Sequence, residues 1–350
     1  MKNGKVCIVA ANNIRLSPYI FFYTRILDQN NIDYELVYPD RNRMEDEFNK
    51  KTYKISWDNR KPSLINYMIY TNKVKRIIRK EKYDKVIVLT SVIAVYMSLW
   101  LEKKYKQSYI VDIRDYTYEH IKPYALLEKK ALKNAALRVI SSEKFRLFLP
   151  DMEYLVCHNI SMGAVASIPK WVKSTDIITI GYIGSLAYAE NVKKLIELVN
   201  KDERFRFHIF GGGPDQEEIE KAVNKVHCER IGFHGPYKPE EKGAIIESTD
   251  VLFNIYGNGT MLLDCALSNK LYDAMFYRKI IMNSPGTYME EISGLCGYSM
   301  NLNDESCLND FYNYYMQLDE QQVTEYQDRM MKKFLCENQN VEKKIIEFLS

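Results

Sequence analysis

The stretch that decides the fold begins at residue 177 and reads Ile-Ile-Thr-Ile-Gly-Tyr-Ile, followed at once by Gly184-Ser185-Leu186. Apolar strand patterns closed by small or turn-forming residues recur at residues 205–214, 231–237 and 250–256, and a helical motif follows at 268–275. Parallel sheets of this kind hold ligands outside the carboxyl ends of their strands, with phosphates on helix N-termini. The stretch therefore predicts a parallel α/β domain with a ligand site at that edge.

The first half of the chain also alternates between strand and helix patterns. Strands are predicted at residues 6–11, 34–38, 85–89, 108–113, 137–140 and 154–157, and helices at 18–29, 64–80, 93–105 and 124–134. Residues 40–60 read as a polar loop, and after residue 282 the pattern is mainly helical, at 309–317, 321–335 and 341–349. Strands alternating with helices favour doubly wound parallel sheets. A length of 350 residues predicts two such Rossmann-like domains, at 1–165 and 166–330, with a C-terminal helix in 331–350.

Charge divides the chain into a basic half and an acidic half. Residues 1–160 carry 29 Lys and Arg against 18 Asp and Glu, whereas residues 161–350 carry 20 against 28. A basic half suits an anionic lipid, nucleic acid or substrate as its partner. No aromatic-basic RNA motif accompanies it, so nucleic-acid binding is the weakest of these. Residues 73–85 and 122–146 hold seven basic residues against two acidic ones each, which is typical either of solvated helix faces or of docking on an anionic membrane.

The cysteines and the apolar stretches point to the cytoplasm. Seven scattered cysteines include no C-x-x-C pair, so neither a disulfide framework nor a zinc site is predicted. The longest uncharged stretch, residues 86–101, is shorter than a membrane-spanning helix, and the first residues lack a signal-peptide pattern. We expect a cytoplasmic protein, associated at most with the inner face of the cell membrane.

The most specific motif is Asn269-Lys270-Leu271-Tyr272-Asp273-Ala274-Met275, preceded by Ser268. It resembles the nucleotide-sugar motif of family-4 glycosyltransferases with the GT-B fold, which build bacterial capsular and other surface polysaccharides. The resemblance implies that Asn269 and Leu271 help to bind the donor, that Lys270 neutralises its diphosphate, and that Asp273 accepts hydrogen bonds from its ribose. The alternative is an ordinary amphipathic helix capped by Ser268, with Lys270 and Asp273 as an exposed i,i+3 pair.

The same resemblance assigns the turns at the other strand ends. Gly184 and Ser185 would let a phosphate approach the backbone, Gly213 would line the nucleoside pocket, and Pro236 and Tyr237 would flank the base. The basic pair that the family carries after the first turn is displaced here to Lys193 and Lys194. Those lysines read either as diphosphate ligands or as the solvated face of a helix.

One position departs from the family pattern. Many retaining members carry a glutamate eight residues before the ribose-binding acid, and this chain has Cys265 there, with Asp264 one place off register. Contacts to the donor hexose, expected from residues 259–263, are therefore weakly specified. This departure keeps open a non-catalytic, glycosyltransferase-like scaffold subunit as an alternative function. A GT-B nucleotide-sugar epimerase is a second alternative, which the scarcity of histidines disfavours.

In the first half, Asp112-Ile113-Arg114-Asp115 is similar to the D-I-R-D segment of bacterial polysaccharide glycosyltransferases. The resemblance implies that Asp115 and His120 are catalytic: Asp115 as base or in orienting an acceptor hydroxyl, and His120 as proton donor to the leaving phosphate. It also implies that Asn13 and Arg114 lie on the acceptor side. The alternative is a salt bridge from Arg114 that stiffens the loop, with His120 exposed.

The resemblance as a whole implies two GT-B domains facing a cleft, with the last helix packing back on the first domain. It implies a hexosyltransferase that moves a sugar from a nucleotide-diphosphate donor, UDP by family habit, to a polysaccharide or polyprenyl-linked oligosaccharide. Transfer would be retaining and would need neither a metal nor another cofactor, because helix dipole and lysine replace Mg²⁺.

Overall fold

The computed structural model describes residues 4–41, 48–160 and 171–350, and the chain divides into two compact units. Unit 1 comprises Met1–Asn159 and Phe334–Ser350, and unit 2 comprises Ile160–Lys333. Each unit contains one parallel sheet with helices, so the predicted pair of parallel-sheet α/β domains is confirmed.

Within the described residues, the sheet of unit 1 has seven parallel strands: β1 (Val6–Val9), β2 (Tyr34–Asp40), β3 (Thr52–Ser56), β4 (Lys85–Leu89), β5 (Tyr109–Ile113), β6 (Leu137–Ile140) and β7 (Leu155–Val156). Its helices are α1 (Ile20–Gln29), α2 (Ser63–Glu81), α3 (Ser91–Tyr105) and α4 (Lys122–Asn134), with single 3₁₀ turns at Ile14–Leu16 and Glu143–Leu147. The strand order is β3-β2-β1-β4-β5-β6-β7. Successive strands thus build outward from β1 on one side and from β4 on the other, which creates a topological switch point between these two strands.

Unit 2 repeats this architecture in its described part with six parallel strands: β8 (Ile178–Ile183), β9 (Phe205–Phe210), β10 (Ile231–Gly235), β11 (Val251–Asn254), β12 (Ile280–Asn283) and β13 (Gly297–Ser299). Its helices are α5 (Ala189–Lys201), α6 (Gln216–Val226), α7 (Lys242–Glu247), α8 (Met261–Cys265), α9 (Asn269–Phe276), α10 (Tyr288–Ser293) and α11 (Cys307–Gln317). The order β10-β9-β8-β11-β12-β13 places the switch point between β8 and β11. Both central strands are almost fully buried, as parallel strands covered on both faces must be.

Two edge strands escape the sequence analysis. β3 lies inside the predicted polar loop, because only Ile55 of its five residues is buried and the others are polar or aromatic and at least partly exposed. β13 is only three residues long and pairs with β12 through Gly297, Tyr298 and Ser299. Edge strands are short and carry polar residues because one side of each faces solvent, so their sequences lack the apolar signal of a central strand.

The last helix, α12 (Glu320–Leu349), is continuous, whereas the sequence predicts a break between residues 335 and 341. The apparent break is Asn338, a buried polar residue. Its side-chain amide donates to the carbonyl of His158 at 2.9 Å and accepts from the His158 amide at 2.7 Å. A tertiary contact thus satisfies a polar residue that local pattern treats as an interruption.

Beyond that contact, the end of α12 belongs to the core of unit 1. Val341, Ile345 and Leu349 pack in the same apolar cluster as β1 and α1, and Arg25 bonds Glu342 at 2.8 Å. In the parts of the chain described, no helix combines the length and the apolar character that crossing a bilayer requires. None of the seven cysteines, all of which lie in the described ranges, forms a disulfide bond.

Candidate functional site

Three turns at the carboxyl edge of the unit 2 sheet are joined by backbone hydrogen bonds. The amide of Gly184 donates to Phe210 at 3.0 Å, and that of Gly211 donates to Gly235 at 2.7 Å. A Cβ atom on Gly211 would lie 1.8 Å from the Gly184 carbonyl oxygen, and one on Gly213 would lie 2.2 Å from that of Leu186. The glycine run therefore allows two turns to pack backbone against backbone.

Helix α9 begins at the same edge and carries the predicted motif. Ser268 caps it by accepting a hydrogen bond from the amide of Lys270 at 3.3 Å. Asn269 is exposed, whereas Lys270 and Leu271 are buried, with Lys270 only 6% exposed. This burial is not that of a surface i,i+3 pair, so the amphipathic alternative does not describe the side chain of Lys270.

The Lys270 ammonium lies among aromatic rings. It donates to the hydroxyl of Tyr256 and lies 4.8 Å from the ring centroid of Tyr182 and 5.0 Å from that of Tyr256. A Cβ on Gly184 would stand 3.9 Å from it, so the first turn borders this ammonium directly. Since Gly184 follows β8 and Tyr256 follows β11, Lys270 lies at the topological switch point, where sheets of this type bind ligands.

Burial lowers the pKa of Lys270 to about 7, with Asp273 opposing the fall and Lys242 adding to it. Among the described residues, no carboxylate comes within ion-pair distance of the Lys270 ammonium. A buried cation that lacks an internal counter-ion costs free energy unless an anion pairs with it. The site therefore holds a cation whose charged form an anionic ligand would stabilise.

Asp273 lies one turn further along α9 and is paired. Its carboxylate accepts from the Lys242 ammonium at 2.7 Å, a partner that the sequence analysis did not name. Asp273 also contributes to raising the pKa of Tyr237, after burial, which indicates that the two side chains are close. Pro236 is exposed and Tyr237 half-buried, and both directly follow β10, so they lie at the same edge of the sheet. The structure thus groups the predicted base, ribose and diphosphate residues of unit 2.

The segment before α9 contains Cys265, at the position where many retaining family-4 glycosyltransferases carry a glutamate. Cys265 is buried, with its thiol 3.5 Å from the Met261 sulfur. Asp264 accepts from the amide of Gly259 at 2.8 Å and so fixes the preceding loop instead of projecting into the turns. The spacing of the sequence could not show whether Asp264 would fix the loop before it or project toward the turns.

Lys193 and Lys194, the displaced basic pair, bond to other side chains on the surface of unit 2. Lys193 pairs with Glu218 at 2.8 Å and with Glu190, and Lys194 donates to Asn303 at 2.6 Å. Both side chains are occupied on the surface of unit 2. This placement matches the interpretation of a solvated helix face.

In unit 1, the predicted acceptor-side residues are engaged with the protein itself. Arg114 is buried; its guanidinium donates to Asp112 at 2.6 Å and to the carbonyl of Cys157 at 3.0 Å. Tyr23 donates to the same Asp112 carboxylate at 2.7 Å. Asn13 is fully buried; its side-chain amide donates to Asp40 at 3.1 Å and its side-chain oxygen accepts from the backbone amide of Arg41 at 3.0 Å. These contacts correspond to the salt-bridge alternative for Arg114.

The predicted catalytic pair lies at the carboxyl end of β5. Asp115 and His120 are both exposed, and His120 packs beside Tyr116 with ring centroids 6.1 Å apart. Desolvation by the surrounding protein raises the pKa of Asp115, with Arg114 opposing the rise and Glu119 adding to it. A raised pKa suits a proton acceptor, but the roles of both residues stay predictions.

A buried carboxyl pair near this loop was not predicted. Glu119 is 8% exposed and Glu128 only 1%, and the charge of Glu119 acts on Glu128. Burial, and then the charge of Glu119, raise the pKa of Glu128 to about 8, so the pair holds a proton at neutral pH. The sequence signal for this pair is limited to Glu128, which the periodicity of the predicted helix 124–134 places on its inward face. Elsewhere in the described ranges, His, Cys, Asp and Glu form no group of three suited to a metal ion.

At the sequence level, no protein-family model and no curated protein matches the chain. Its structure is similar to sucrose-phosphate synthase from Thermosynechococcus elongatus, with a TM-score of 0.74 at 11% identity over 98% of both chains. It is similar to HepE of Anabaena, solved with UDP and glucose, with a TM-score of 0.70 at 12% identity over 98% of this chain and 100% of that one.

A third neighbour is the lipopolysaccharide outer core galactosyltransferase WaaB, with a TM-score of 0.68 at 15% identity over 98% of this chain and 99% of that one. All three similarities extend over both parallel sheets, since each covers nearly the whole of both chains. At these identities the likeness concerns the fold alone. The chain has the GT-B fold of these glycosyltransferases, as its sequence predicted.

Proposed function

We propose that this protein is a glycosyltransferase that moves a sugar from a nucleotide-diphosphate donor to a saccharide acceptor. The observation that carries the proposal is the buried Lys270 at the switch point of unit 2, which lacks a carboxylate partner in the described chain. A diphosphate supplies the negative charge that this ammonium lacks, and the N-terminus of α9 adds a favourable dipole.

The neighbouring residues fit the remaining parts of a nucleotide. Asp273 would exchange its pairing with Lys242 for hydrogen bonds from the ribose, leaving the Lys242 ammonium to approach the diphosphate. Tyr237, close to Asp273, would contact the base. The small residues Gly184 and Ser185 would let a phosphate approach the backbone, and Gly213 with Pro236 would complete the wall. Every one of these residues belongs to unit 2.

Within this proposal we choose UDP as the nucleotide. The support is the resemblance of the α9 motif together with the structural neighbour HepE, which has been solved with UDP and with UDP-glucose. Transfer would proceed without a metal, since Lys270 and the α9 dipole would neutralise the leaving diphosphate. It would retain the anomeric configuration, with Asp115 acting on the acceptor hydroxyl and His120 donating a proton to the leaving phosphate.

The acceptor is proposed to be a growing surface polysaccharide or a polyprenyl-linked oligosaccharide. Helices α2, α3 and α4 pack side by side and expose large apolar residues beside lysines and arginines. The exposed apolar residues are Leu64, Ile65 and Met68 on α2, Leu99 on α3 and Leu126 on α4. This surface would dock reversibly on an anionic membrane, at about 1 kcal/mol per basic residue near the lipid.

Calorimetric titration of the full chain with UDP, GDP, CDP and ADP tests the nucleotide site. We expect selective micromolar binding of UDP, after which screening of UDP-sugars should identify the donor and NMR of the product should show retention. Absence of binding to all four nucleotides would contradict the proposal and favour a scaffold subunit.

Liposome co-sedimentation tests the membrane surface separately. Binding should require anionic lipid and fade between low and physiological salt, because the attraction is screened over about 8–10 Å. Binding that is absent, or indifferent to salt and lipid charge, would remove the membrane part of the proposal without touching the nucleotide site.

A further inference from the structure

Beside the proposed diphosphate site lies a pocket of about 210 Å³. It shares Tyr256 and Ser268 with the surroundings of Lys270, since Tyr256 accepts from the Lys270 ammonium and Ser268 caps α9. Its lining is mostly apolar: Tyr188, Leu262, Leu263, Ala266, Leu267 and Met289. A sugar hydroxyl would gain little from such a lining, because burying it there without a partner is unfavourable.

One polar side chain in the lining is unsatisfied. Asn254 is 3% exposed, and its Oδ1 atom has no hydrogen-bond partner in the described chain. The orientation of its amide is determined by Asn283, whose own amide nitrogen donates to Ser293 at 2.8 Å and toward the Met289 carbonyl at 3.4 Å. The Asn283 oxygen is thereby left to accept from the Asn254 amide at 3.2 Å, so Asn254 Oδ1 is the acceptor left over.

A second polar group in the lining is able to donate. Ser284 accepts from the amide of Gly257 at 2.8 Å through its hydroxyl oxygen, which leaves the hydroxyl hydrogen for another acceptor. The pocket therefore combines an apolar wall, one unsatisfied buried acceptor and one hydroxyl donor. A ligand group that matches all three has a methyl, an N–H and a carbonyl.

We infer that this pocket receives the acetamido group of an N-acetylated sugar donor, an inference that rests on the proposed nucleotide-sugar function. The acetamido N–H donates to Asn254 Oδ1, its carbonyl accepts from Ser284, and its methyl packs on the leucines and Met289. Its four non-hydrogen atoms need roughly the space of four waters at about 30 Å³ each, which the pocket accommodates. Pairing the buried amide oxygen removes the cost of leaving it unsatisfied.

The protein would therefore prefer donors whose sugar is N-acetylated. A sugar with a hydroxyl at that position offers a shorter, wholly polar group, which leaves the apolar wall unfilled. A site that hydrogen-bonds a particular substrate group discriminates strongly against an analogue that lacks it, since its own polar groups are then unpaired. Asn254 would be the specificity-determining residue, and Leu263 and Met289 the apolar contacts.

The test is a calorimetric comparison of matched donors, UDP-N-acetylglucosamine against UDP-glucose and UDP-N-acetylgalactosamine against UDP-galactose, with UDP as reference. We expect the N-acetylated member of at least one pair to bind about ten-fold tighter or more. In saturation-transfer NMR the acetyl methyl should be among the most strongly saturated ligand protons. In Asn254→Ala the preference should shrink to two-fold or less while the affinity for UDP stays that of the wild type.

Because Asn254→Ala also removes the donor to the Asn283 side-chain oxygen, Met289→Trp serves as a second variant that fills the pocket. It should abolish the preference and keep the affinity for UDP. If UDP binds but the protein binds the N-acetylated and the hydroxyl member of each donor pair with equal affinity, this inference is overturned and the proposed function stands. Absence of UDP binding would overturn both, so the two failures are distinguishable.

Discussion

The carboxyl edges of the two sheets hold similar residues in opposite states. In unit 1, the buried cation of Arg114 is paired with Asp112, and Tyr23 donates to the same carboxylate oxygen, Oδ2. In unit 2, the contacts of the buried Lys270 cation among the described residues are a tyrosine hydroxyl and two aromatic rings, with no carboxylate. A charge neutralised from within stiffens the fold, whereas a charge without an internal partner favours an anionic ligand.

Removing Asp112 is expected to have the largest effect on stability. Asp112→Ala leaves the Arg114 guanidinium buried without its counter-charge, which should cost about 3–5 kcal/mol in the free energy of unfolding. Denaturation of the full chain measures this loss. Nucleotide affinity should remain that of the wild type at temperatures where unit 1 stays folded.

The chain offers a matched control with the same spacing. Asp202 and Arg204 pair at 2.7 Å but are 18% and 36% exposed. Asp202→Ala should therefore cost about 1 kcal/mol or less, because exposed pairs are screened by solvent. Equal losses at both sites would show that burial does not distinguish the two pairs.

Replacing Lys270 should separate function from stability. Lys270→Met is expected to weaken nucleotide binding by about 3 kcal/mol, the loss of charged hydrogen bonds to the diphosphate. The control Lys193→Met, which removes a lysine paired with Glu190 and Glu218, should leave affinity unchanged. Calorimetric titration of both variants makes the comparison.

The same variant should be more stable than the wild type at neutral pH. Since the folded pKa of Lys270 is lowered to about 7, the unfolded chain binds more protons above that value, and wild-type stability rises with pH from about 7 toward the ordinary lysine pKa. Lys270→Met should lack this rise. A variant that loses both affinity and stability would indicate a structural role for the lysine.

The carboxyl pair in unit 1 predicts the reverse pH dependence. Because burial raises the pKa of Glu128 to about 8, the folded state binds more protons between the ordinary glutamate pKa and that value, and stability falls as pH rises through this window. The loss from pH 6 to pH 8 should amount to about 2 kcal/mol. Glu128→Gln, which mimics the protonated acid, should flatten the profile, whereas Glu143→Gln on the exposed 3₁₀ turn should not.

The smallest expected effect concerns the ribose. Asp273→Ala should weaken nucleotide binding by about 1–2 kcal/mol, since lost hydrogen bonds to a charged group are partly offset when the Lys242 ammonium is released toward the diphosphate. The deoxyribose analogue of UDP provides the check. The wild type should bind the analogue more weakly than UDP, whereas Asp273→Ala should bind the analogue and UDP with equal affinity. Unchanged affinity for UDP in the variant would contradict the assignment.

Strand and turn order carried most of what the sequence alone could predict. Apolar runs closed by glycine and serine determined the two parallel sheets, because strands buried on both faces need continuous apolar residues and tight turns need small ones. Lys270 and Asp273 were identified through the resemblance of the α9 motif to the nucleotide-sugar motif of family-4 glycosyltransferases. Edge strand β3 and the continuity of α12 were missed, since their residues are satisfied by neighbours distant in sequence.

Which polar groups are paired was decided by the tertiary structure alone. Asp112 near the end of β5 and Asp264 in α8 are both acids, yet one neutralises Arg114 and the other fixes the backbone of Gly259. Likewise the Asn254 oxygen has no hydrogen-bond partner among the described residues, because Asn283, whose amide donates to Ser293, uses its own oxygen to accept from the Asn254 amide. Sequence determines which donors and acceptors exist and where the strands end. Pairing depends on distances of a few tenths of an ångström and on burial, which arise only when separate elements pack together.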